Sequence, residues 1–301
     1  MKETASFGSP ARPSLLAVAG KLTEIHYQQV TFLRHPALLV LIAVLGGACP
    51  NSSIISSAAT KSNSTQTVAS TAPAPELDPE AIATLDKMGA YLRTLKAYQV
   101  RATTTTEDVL DDGQKIQYDA TTDMLVQMPD KMRVEHTGDR LHRLYLYDGK
   151  TFTIWAELVN YYATVPAPAT IVELTDQLYE KYDLELPLED LFYWGSARSR
   201  SVKLEGATDV GPTQVEGTTC EQYAFRQEGV DWQIWIQLGD YPLPRKIVIT
   251  TLTDEARPQF TAVYTWNLAP SFNEAAFTFD PPKDAHRITL AVANAAAEKK
   301  E

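Results

Sequence analysis

"MLVQMPDKMRVEHTGDRLHRLYLYDGKTFTIW", residues 124–155, has the pattern of short β-strands separated by turns. The turn signals are Pro129-Asp130, Thr137-Gly138-Asp139 and Asp148-Gly149, and an Asp-Gly pair suits a two-residue hairpin turn. Between the turns, apolar and polar side chains largely alternate, as they do in strands. The stretch therefore predicts an antiparallel meander.

Helical patterns lie on both sides of this meander. Residues 77–98 contain a candidate N-cap, Asp78, followed by Pro79 at the first helical position and an apolar stripe at helical spacing. Two more amphipathic segments, residues 167–184 and 186–195, follow the meander, and further strands come after them. We expect a single α+β domain over residues 78–290 and a flexible tail over residues 291–301.

Composition limits the classes of partner. The chain has 301 residues, 44% of them hydrophobic, and a formal net charge of −11. The acidic excess lies after residue 49, because residues 1–49 hold more Lys and Arg than Asp and Glu. An acidic body argues against nucleic acid as a partner and gives no preference for anionic lipid surfaces.

The first 49 residues read as an export segment. Arg34 precedes an apolar run, "HPALLVLIAVLGGAC", which ends in small residues and is short for a membrane span. Gly47-Ala48-Cys49 resembles the end of a bacterial lipoprotein signal, although Leu45 lies one place further from the cysteine than is usual. Either Cys49 is acylated or the chain is cleaved near Ala48, and both alternatives export the protein to the periplasm or cell envelope.

Residues 50–77 are rich in Ser, Thr, Ala and Pro and contain few large apolar residues. Such a segment does not bury enough surface to fold by itself. We expect a disordered tether, with a lipid anchor at its start if Cys49 is acylated.

Sequence motifs give little support for chemistry. The chain lacks GxSxG, HExxH and P-loop patterns. Cys220 lies in an expected strand, which favours a buried, inert thiol, and the carboxylates Asp183, Glu185, Glu189 and Asp190 are expected on a solvated face. We expect no enzyme, no catalytic residue and no cofactor.

A metal site has one candidate arrangement. His136 and His142 flank a turn and therefore have the spacing to face each other across a hairpin, with Glu135 as a third ligand. Glu135 and His136 are adjacent in a strand, however, and point to opposite faces. We interpret all three as polar hairpin positions and expect no metal.

Large side chains occur on both faces of several strands. In residues 231–238, Trp232, Ile234 and Ile236 share one face, whereas Trp235 lies among glutamines on the other. Helices covering the second face, ordinary surface aromatics and a face lining an apolar cavity are three explanations.

The segments "LVQMPDKMRVE", "LYLYDGKTFTIW" and "NYYATV" resemble the LolA/LolB superfamily, the periplasmic carriers and receptors of outer-membrane lipoproteins. The later "WQIWIQLGDYPLPRKIVI" is more similar to the predicted periplasmic family of unknown function in that superfamily. The resemblance implies an incomplete antiparallel β-barrel, a curled sheet with helices as a lid over an apolar cavity. The carriers have a basic lid latch before the proline of the Pro-turn. Met128 stands there in this chain, and Arg133 is the alternative latch.

The resemblance predicts a non-catalytic binding protein that holds a lipid, an acyl chain or a lipoprotein. The alternative is a periplasmic protein-interaction or envelope-stress sensor module, which would have a packed interior, an envelope protein partner and no transported cargo. The expected cavity-lining residues are Tyr145, Tyr147, Phe152, Ile154, Trp155, Trp232, Ile234 and Trp235.

Overall fold

The computed structural model describes residues 77–293, and the strands in this range form one sheet of twelve. They are β1 (Ala97–Val109), β2 (Lys115–Gln127), β3 (Lys131–Gly138), β4 (Leu141–Tyr147), β5 (Thr151–Ala156), β6 (Tyr161–Pro166), β7 (Leu204–Val215), β8 (Thr218–Gln227), β9 (Val230–Gln237), β10 (Pro244–Thr251), β11 (Gln259–Asn267) and β12 (His286–Arg287). Across the sheet the order is β12-β6-β5-β4-β3-β2-β1-β11-β10-β9-β8-β7. Neighbouring strands are antiparallel, apart from the short parallel pair β12–β6.

The sheet is open. Its end strands, β7 and β12, do not pair with each other within residues 77–293. Strand twist curls a large sheet of this kind, so that one face becomes concave. The concave face, called the inner face below, is the one against which the helices pack. The molecule is thus an α+β incomplete antiparallel barrel, as predicted.

The Asp148-Gly149 turn forms as the sequence predicts. Gly149 has φ +88°, a region that glycine enters without steric cost. The Asp148 carboxylate accepts hydrogen bonds from the backbone N–H groups of Lys150 (2.9 Å) and Thr151 (2.7 Å). These contacts fix the register of β4 with β5.

The first helix, α1 (Pro79–Leu92), begins where the sequence predicts. The Asp78 carboxylate accepts a hydrogen bond from the N–H of Glu80 at 2.8 Å, and Pro79 occupies the first helical position. Met88 and Leu92 are buried, and the helix lies on the inner face. The Asp78 N–H also donates to the Ala207 carbonyl at 2.9 Å, which ties the start of the helix to edge strand β7.

Residues 167–203 form a helical insert between β6 and β7. Its helices are α2 (Ile171–Tyr182), α3 (Asp190–Tyr193) and α4 (Ala197–Ser201); α2 and α3 are predicted by the sequence and α4 is not. Because β6 lies next to one edge of the sheet and β7 forms the other, the insert has to cross the open side of the curl. Apolar side chains of the insert join the same core as the inner face.

Residues 272–287 form a C-terminal strap that packs on the outer face of the sheet through its 3₁₀ helix and Phe279. A 3₁₀ helix (Glu274–Phe277) buries Phe277, and Lys131 of β3 pairs with Glu274 at 2.5 Å. Phe279 packs against Trp155 at 5.9 Å and Tyr162 at 5.1 Å between ring centroids. The second face is therefore covered in part by this C-terminal strap, which was not among the three explanations that the sequence left open.

Several expectations from the sequence lie outside the described residues. These are the export segment 1–49 with Cys49, nearly all of the tether 50–77, and the tail beyond residue 293. Among residues 77–293, no helix combines the length and apolar character needed to cross a membrane.

Candidate ligand-binding site

The inner face of β1–β4 is organised in four cross-strand rows, defined by the register of the three hairpins. From one rim of the sheet toward the other they are row 1 (Tyr98, Val126, Met132, Tyr147), row 2 (Val100, Met124, Val134, Tyr145), row 3 (Ala102, Thr122, His136, Arg143) and row 4 (Thr104, Ala120, Gly138, Leu141). Rows 1 and 2 are entirely apolar or aromatic, and none of their side chains is more than 4% exposed. Row 3 introduces polar and charged groups within one step of about 7 Å along the strands.

Six of the eight expected lining residues lie on the inner face. Tyr145 and Tyr147 belong to rows 1 and 2, and Phe152 pairs with Tyr147 while Ile154 pairs with Tyr145. Trp232 and Ile234 lie in the other half of the sheet, in the same core. All six therefore line one concave, mostly apolar surface.

Trp155 and Trp235 lie on the outer face, which corrects the expectation that they line the cavity. Trp155 packs under the C-terminal strap, and its indole N–H donates to Asn160 Oδ1 at 3.4 Å. Trp235 is covered by Lys246, whose ammonium lies 4.7 Å from the ring centroid. Both are large side chains that another part of the chain covers from outside.

A small cavity lies between the helical insert and the inner face. It measures about 30 Å³ and is lined by Leu188, Asp190, Leu191, Trp194, Ile247, Ile249, Phe260 and Tyr264. A water molecule needs roughly 10–15 Å³, whereas an engineered cavity that binds benzene measures about 150 Å³. This space thus accommodates water but not an acyl chain.

Three contacts fix the insert in place. Trp194 packs on Trp232 of β9 with ring centroids 5.8 Å apart. Gly195 approaches α1 so closely that a Cβ built on Gly89 would lie 2.5 Å from the Gly195 nitrogen. Near the start of the insert, the N–H of Ile171 donates to the Pro129 carbonyl at 2.8 Å.

Polar contacts reinforce the insert from within. The Tyr193 hydroxyl lies 2.6 Å from Thr175 Oγ1 and donates to Asp176 at 3.2 Å. Arg198 pairs with Asp176 at 2.9 Å, and its guanidinium lies 4.4 Å from the centroid of the Tyr193 ring. Because these residues come from all three short helices, the insert holds together as a unit.

Arg133 does not serve as the lid latch that the sequence suggested. It lies on the outer face of β3, where its guanidinium pairs with Glu135 at 3.2 Å. The Pro-turn instead contacts the insert through backbone, and the Tyr147 hydroxyl donates to the Pro168 carbonyl at 2.5 Å. Burial raises the pKa of Tyr147 to about 12, so its hydroxyl keeps its proton at physiological pH.

His136 and His142 point to opposite faces of the sheet, because the register pairs His136 with Arg143 rather than with His142. His142 lies between Glu135 and Glu157 on the outer face. His136 is on the inner face, 2.8 Å from Thr122 Oγ1 through Nδ1. Within residues 77–293, no group of three or more potential ligands is placed to hold a metal ion.

Burial together with the charge of Arg143 lowers the pKa of His136 to about 4, so that its imidazole is neutral at pH 7. Row 3 therefore offers a cation, a neutral imidazole and a hydroxyl side by side. Row 3 is the part of the inner face that sequence reasoning missed. Alternation shows which residues of β3 share a face, and likewise for β4. Only the cross-strand register, however, places His136 beside Arg143.

Cys220 and Glu189, two side chains considered for catalysis in the sequence analysis, are both buried. Cys220 is buried on the outer face of β8, and burial raises the pKa of its thiol. Glu189 is 2% exposed, and its carboxylate accepts a hydrogen bond from the Leu186 N–H at 2.9 Å. The solvated face expected for Glu189 is thus wrong, since this carboxylate supports the turn before α3.

Comparison with known proteins gives one match at the level of family. A family model described as "Predicted periplasmic protein (DUF2092)" matches residues 81–291. No curated protein matches the chain.

Solved structures give distant likenesses. LprF from Mycobacterium bovis is 12% identical, with 69% of this chain and 99% of that chain covered and a TM-score of 0.38. Lipoprotein LppX from Mycobacterium tuberculosis is 11% identical, covering 65% and 100%, with a TM-score of 0.33. A LolA superfamily protein from Nitrosomonas europaea is 9% identical, covering 66% and 97%, with a TM-score of 0.33. At such low TM-scores, the function of this chain has to be argued from its own structure and its family.

Proposed function

Since the chain belongs to the DUF2092 family of predicted periplasmic proteins, we propose that it is an exported, non-catalytic binding protein that holds a lipid or acyl chain inside its half-barrel. One observation carries the proposal. The insert crosses from one edge of the open sheet to the other, over an inner face whose rows 1 and 2 are apolar throughout. A curved apolar surface with a separate helical cover is suited to enclosing an apolar ligand.

Burial of the chain is the driving force. Transfer of an acyl chain from water contributes about 0.8 kcal/mol per methylene, so a chain of sixteen carbons gains on the order of 10 kcal/mol before costs. The main cost is displacement of the insert, because the side chains of rows 1 and 2 are already buried by other parts of the protein. In this proposal the ligand replaces the contacts that insert side chains make with the inner face.

A lipid anchor at Cys49 would suit a receptor that stays at one membrane. If Cys49 is acylated, residues 50–77 connect the membrane to α1, which begins at edge strand β7. A tethered domain would receive or present lipid at one membrane, whereas a chain cleaved near Ala48 would act freely in the periplasm.

The small cavity favours a second candidate function. A protein-interaction or envelope-sensing module needs a packed interior rather than an open hollow, and the 30 Å³ cavity agrees with that. Such a module would bind its partner through exposed apolar side chains, and Leu158 (63% exposed), Tyr241 (54%) and Leu238 (48%) are the candidates.

Native mass spectrometry of protein expressed with its own leader and purified from the envelope separates the two functions. We expect a non-covalent extra mass that disappears on denaturation and extracts as lipid. A ligand-free mass, together with failure of the purified protein to bind a fluorescent acyl probe, would favour the interaction module. The same spectra report whether Cys49 is acylated.

A matched pair of variants locates the site. Ile154 of β5 and Val263 of β11 are both partly exposed, and they lie on opposite faces of the sheet. Ile154→Ala removes inner-face surface beside Tyr145 of row 2 and should weaken acyl-probe binding roughly tenfold, corresponding to about 1.4 kcal/mol. Val263→Ala should leave binding unchanged; equal effects of the two substitutions would exclude the inner face as the site.

A further inference from the structure

Polarity on the inner face changes abruptly along the strands. Rows 1 and 2 hold eight apolar or aromatic residues, whereas row 3 holds Thr122, His136 and Arg143. In the other half of the inner face, Tyr264 of β11 lies at the level of row 3, and Ala262 and Ile247 lie at the level of row 4. The polar groups of row 3 thus lie on β2–β4 and border the apolar surface directly.

Among the sheet positions of this polar patch, the charged side chain is a cation. No position in rows 1 to 4 carries Asp or Glu, and Arg143 is the charged group of row 3 at pH 7. Asp190 of the insert lies beside Tyr264, which pairs with Ala102 at the β1 end of row 3. Along the sheet, four strand spacings of about 4.8 Å separate Tyr264 from Arg143.

Row 3 also supplies neutral hydrogen-bonding groups. Thr122 Oγ1 and His136 Nδ1 are 2.8 Å apart and lie next to Arg143 in the same row. Because the neutral imidazole and the hydroxyl share one hydrogen bond, the pair keeps one donor for a ligand. Together with the guanidinium, this donor matches the oxygens of a carboxylate or phosphate, which accept several hydrogen bonds at once. Arg143 is half-buried, and its attraction for an anion is therefore less screened than that of a fully exposed arginine.

The geometry points to an amphiphile with an oxyanion headgroup as the ligand, its apolar chain on rows 1 and 2 and its carboxylate or phosphate on Arg143 and the hydrogen-bonded His136–Thr122 pair of row 3. This inference rests on the proposed function, because it places a headgroup site at the end of the acyl site. It goes further in fixing both the class of ligand and its direction in the half-barrel.

The test compares three ligands with the same chain: laurate, dodecyl phosphate and dodecanol. Competition against a fluorescent acyl probe gives their affinities for the wild-type protein. We expect both anions to bind about tenfold more tightly than the alcohol, which a charge-assisted contact of about 1.4 kcal/mol produces. Equal affinities for the alcohol and the anions would overturn the inference while leaving the proposed function intact. If none of the three binds, both proposals fail.

Substitutions assign the preference to row 3. Arg143→Gln should bring the affinities for laurate and dodecanol together, and Arg143→Lys should keep most of the difference. Arg101→Gln is the matched control, because Arg101 is an exposed arginine on the outer face of β1 and should keep the full preference. A preference that survives Arg143→Gln would overturn the assignment.

A measurement on the wild-type protein tests the same inference without any substitution, so its result does not depend on whether the variants fold. In NMR spectra, laurate should shift the resonances of the His136 ring and the Thr122 amide more than dodecanol does. Equal shifts with the two ligands would place the headgroup elsewhere and overturn the inference.

Discussion

Burial and the neighbouring Arg143 lower the pKa of His136 from 6.5 to about 4. In the unfolded chain its pKa is about 6.5, so between pH 6.5 and 4 the unfolded state binds a proton that the folded state does not. The free energy of unfolding should therefore decrease as pH falls through this window, by up to about 3 kcal/mol from this group, and the decrease from His136 ends below pH 4.

Urea unfolding at pH 7, 5.5 and 4.5 checks this prediction for the wild type and for His136→Gln. In the variant, the free energy of unfolding should lose most of the pH dependence that His136 causes in the wild type. Thr137→Val, on the exposed outer face of the same strand, should keep the wild-type slope. An unchanged slope in His136→Gln would mean that other groups cause the loss of stability.

Gly89 of α1 gives a second prediction at the scale of one residue. At an exposed helical position, alanine is more favourable than glycine by about 1 kcal/mol. At Gly89 a Cβ would lie 2.5 Å from the Gly195 nitrogen, so α1 and the insert have to separate. Gly89→Ala should therefore destabilise the protein by about 1–3 kcal/mol, despite its helix propensity.

Thermal unfolding measures the effect of Gly89→Ala, and Ala90→Gly provides the comparison at an exposed position of the same helix. Ala90→Gly should cost about 1 kcal/mol, through propensity alone. A stabilised Gly89→Ala variant would show that the contact between Gly89 and Gly195 is looser than the structure indicates.

At the scale of elements, the C-terminal strap stabilises the outer face of β3–β6. Phe277 is 1% exposed, and its truncation leaves a cavity beneath the 3₁₀ helix. Phe277→Ala should cost about 3–5 kcal/mol, and hydrogen exchange should become faster in β3–β6. Thr278→Ala, at the exposed neighbouring residue, should cost less than about 1 kcal/mol. Unchanged exchange in these strands would mean that the strap does not support them.

The sequence predicts the elements whose signals are local. Asp148-Gly149 and the alternation around it predict β4 and β5, and Asp78-Pro79 predicts the start of α1. The strap escapes prediction because a two-residue strand and one 3₁₀ turn have no periodicity of their own, and contacts with distant residues hold them. The match to the family of predicted periplasmic proteins confirms the resemblance seen in the sequence.

The candidate site is only partly predictable, for a geometric reason. Alternation shows that Trp232 and Trp235 point to opposite faces, but it does not tell which face is concave. That depends on the direction in which the whole sheet curls and on which face the insert covers. The polar patch of row 3 similarly depends on three strands aligning in register, and this information is not contained in any one of them.

At the scale of the whole molecule, the insert and the ligand compete for one surface. If binding requires the insert to leave the inner face, the apparent affinity equals the intrinsic affinity multiplied by the fraction of molecules that are open. Trp194 contributes to the closed state by packing on Trp232. Trp194→Ala should lower the free energy of unfolding and yet strengthen acyl binding, with about tenfold tighter binding for each 1.4 kcal/mol lost from the closed state.

Paired measurements of urea unfolding and acyl-probe titration check this opposition. Leu158→Ala, at a 63% exposed position remote from the insert contacts described above, is the control and should change neither quantity appreciably. If Trp194→Ala weakens binding in proportion to its loss of stability, Trp194 belongs to the binding surface and the insert is not a cover that opens. If the two quantities move in opposite directions, the closed state competes with the ligand, and the small cavity is a property of the closed state rather than evidence against binding.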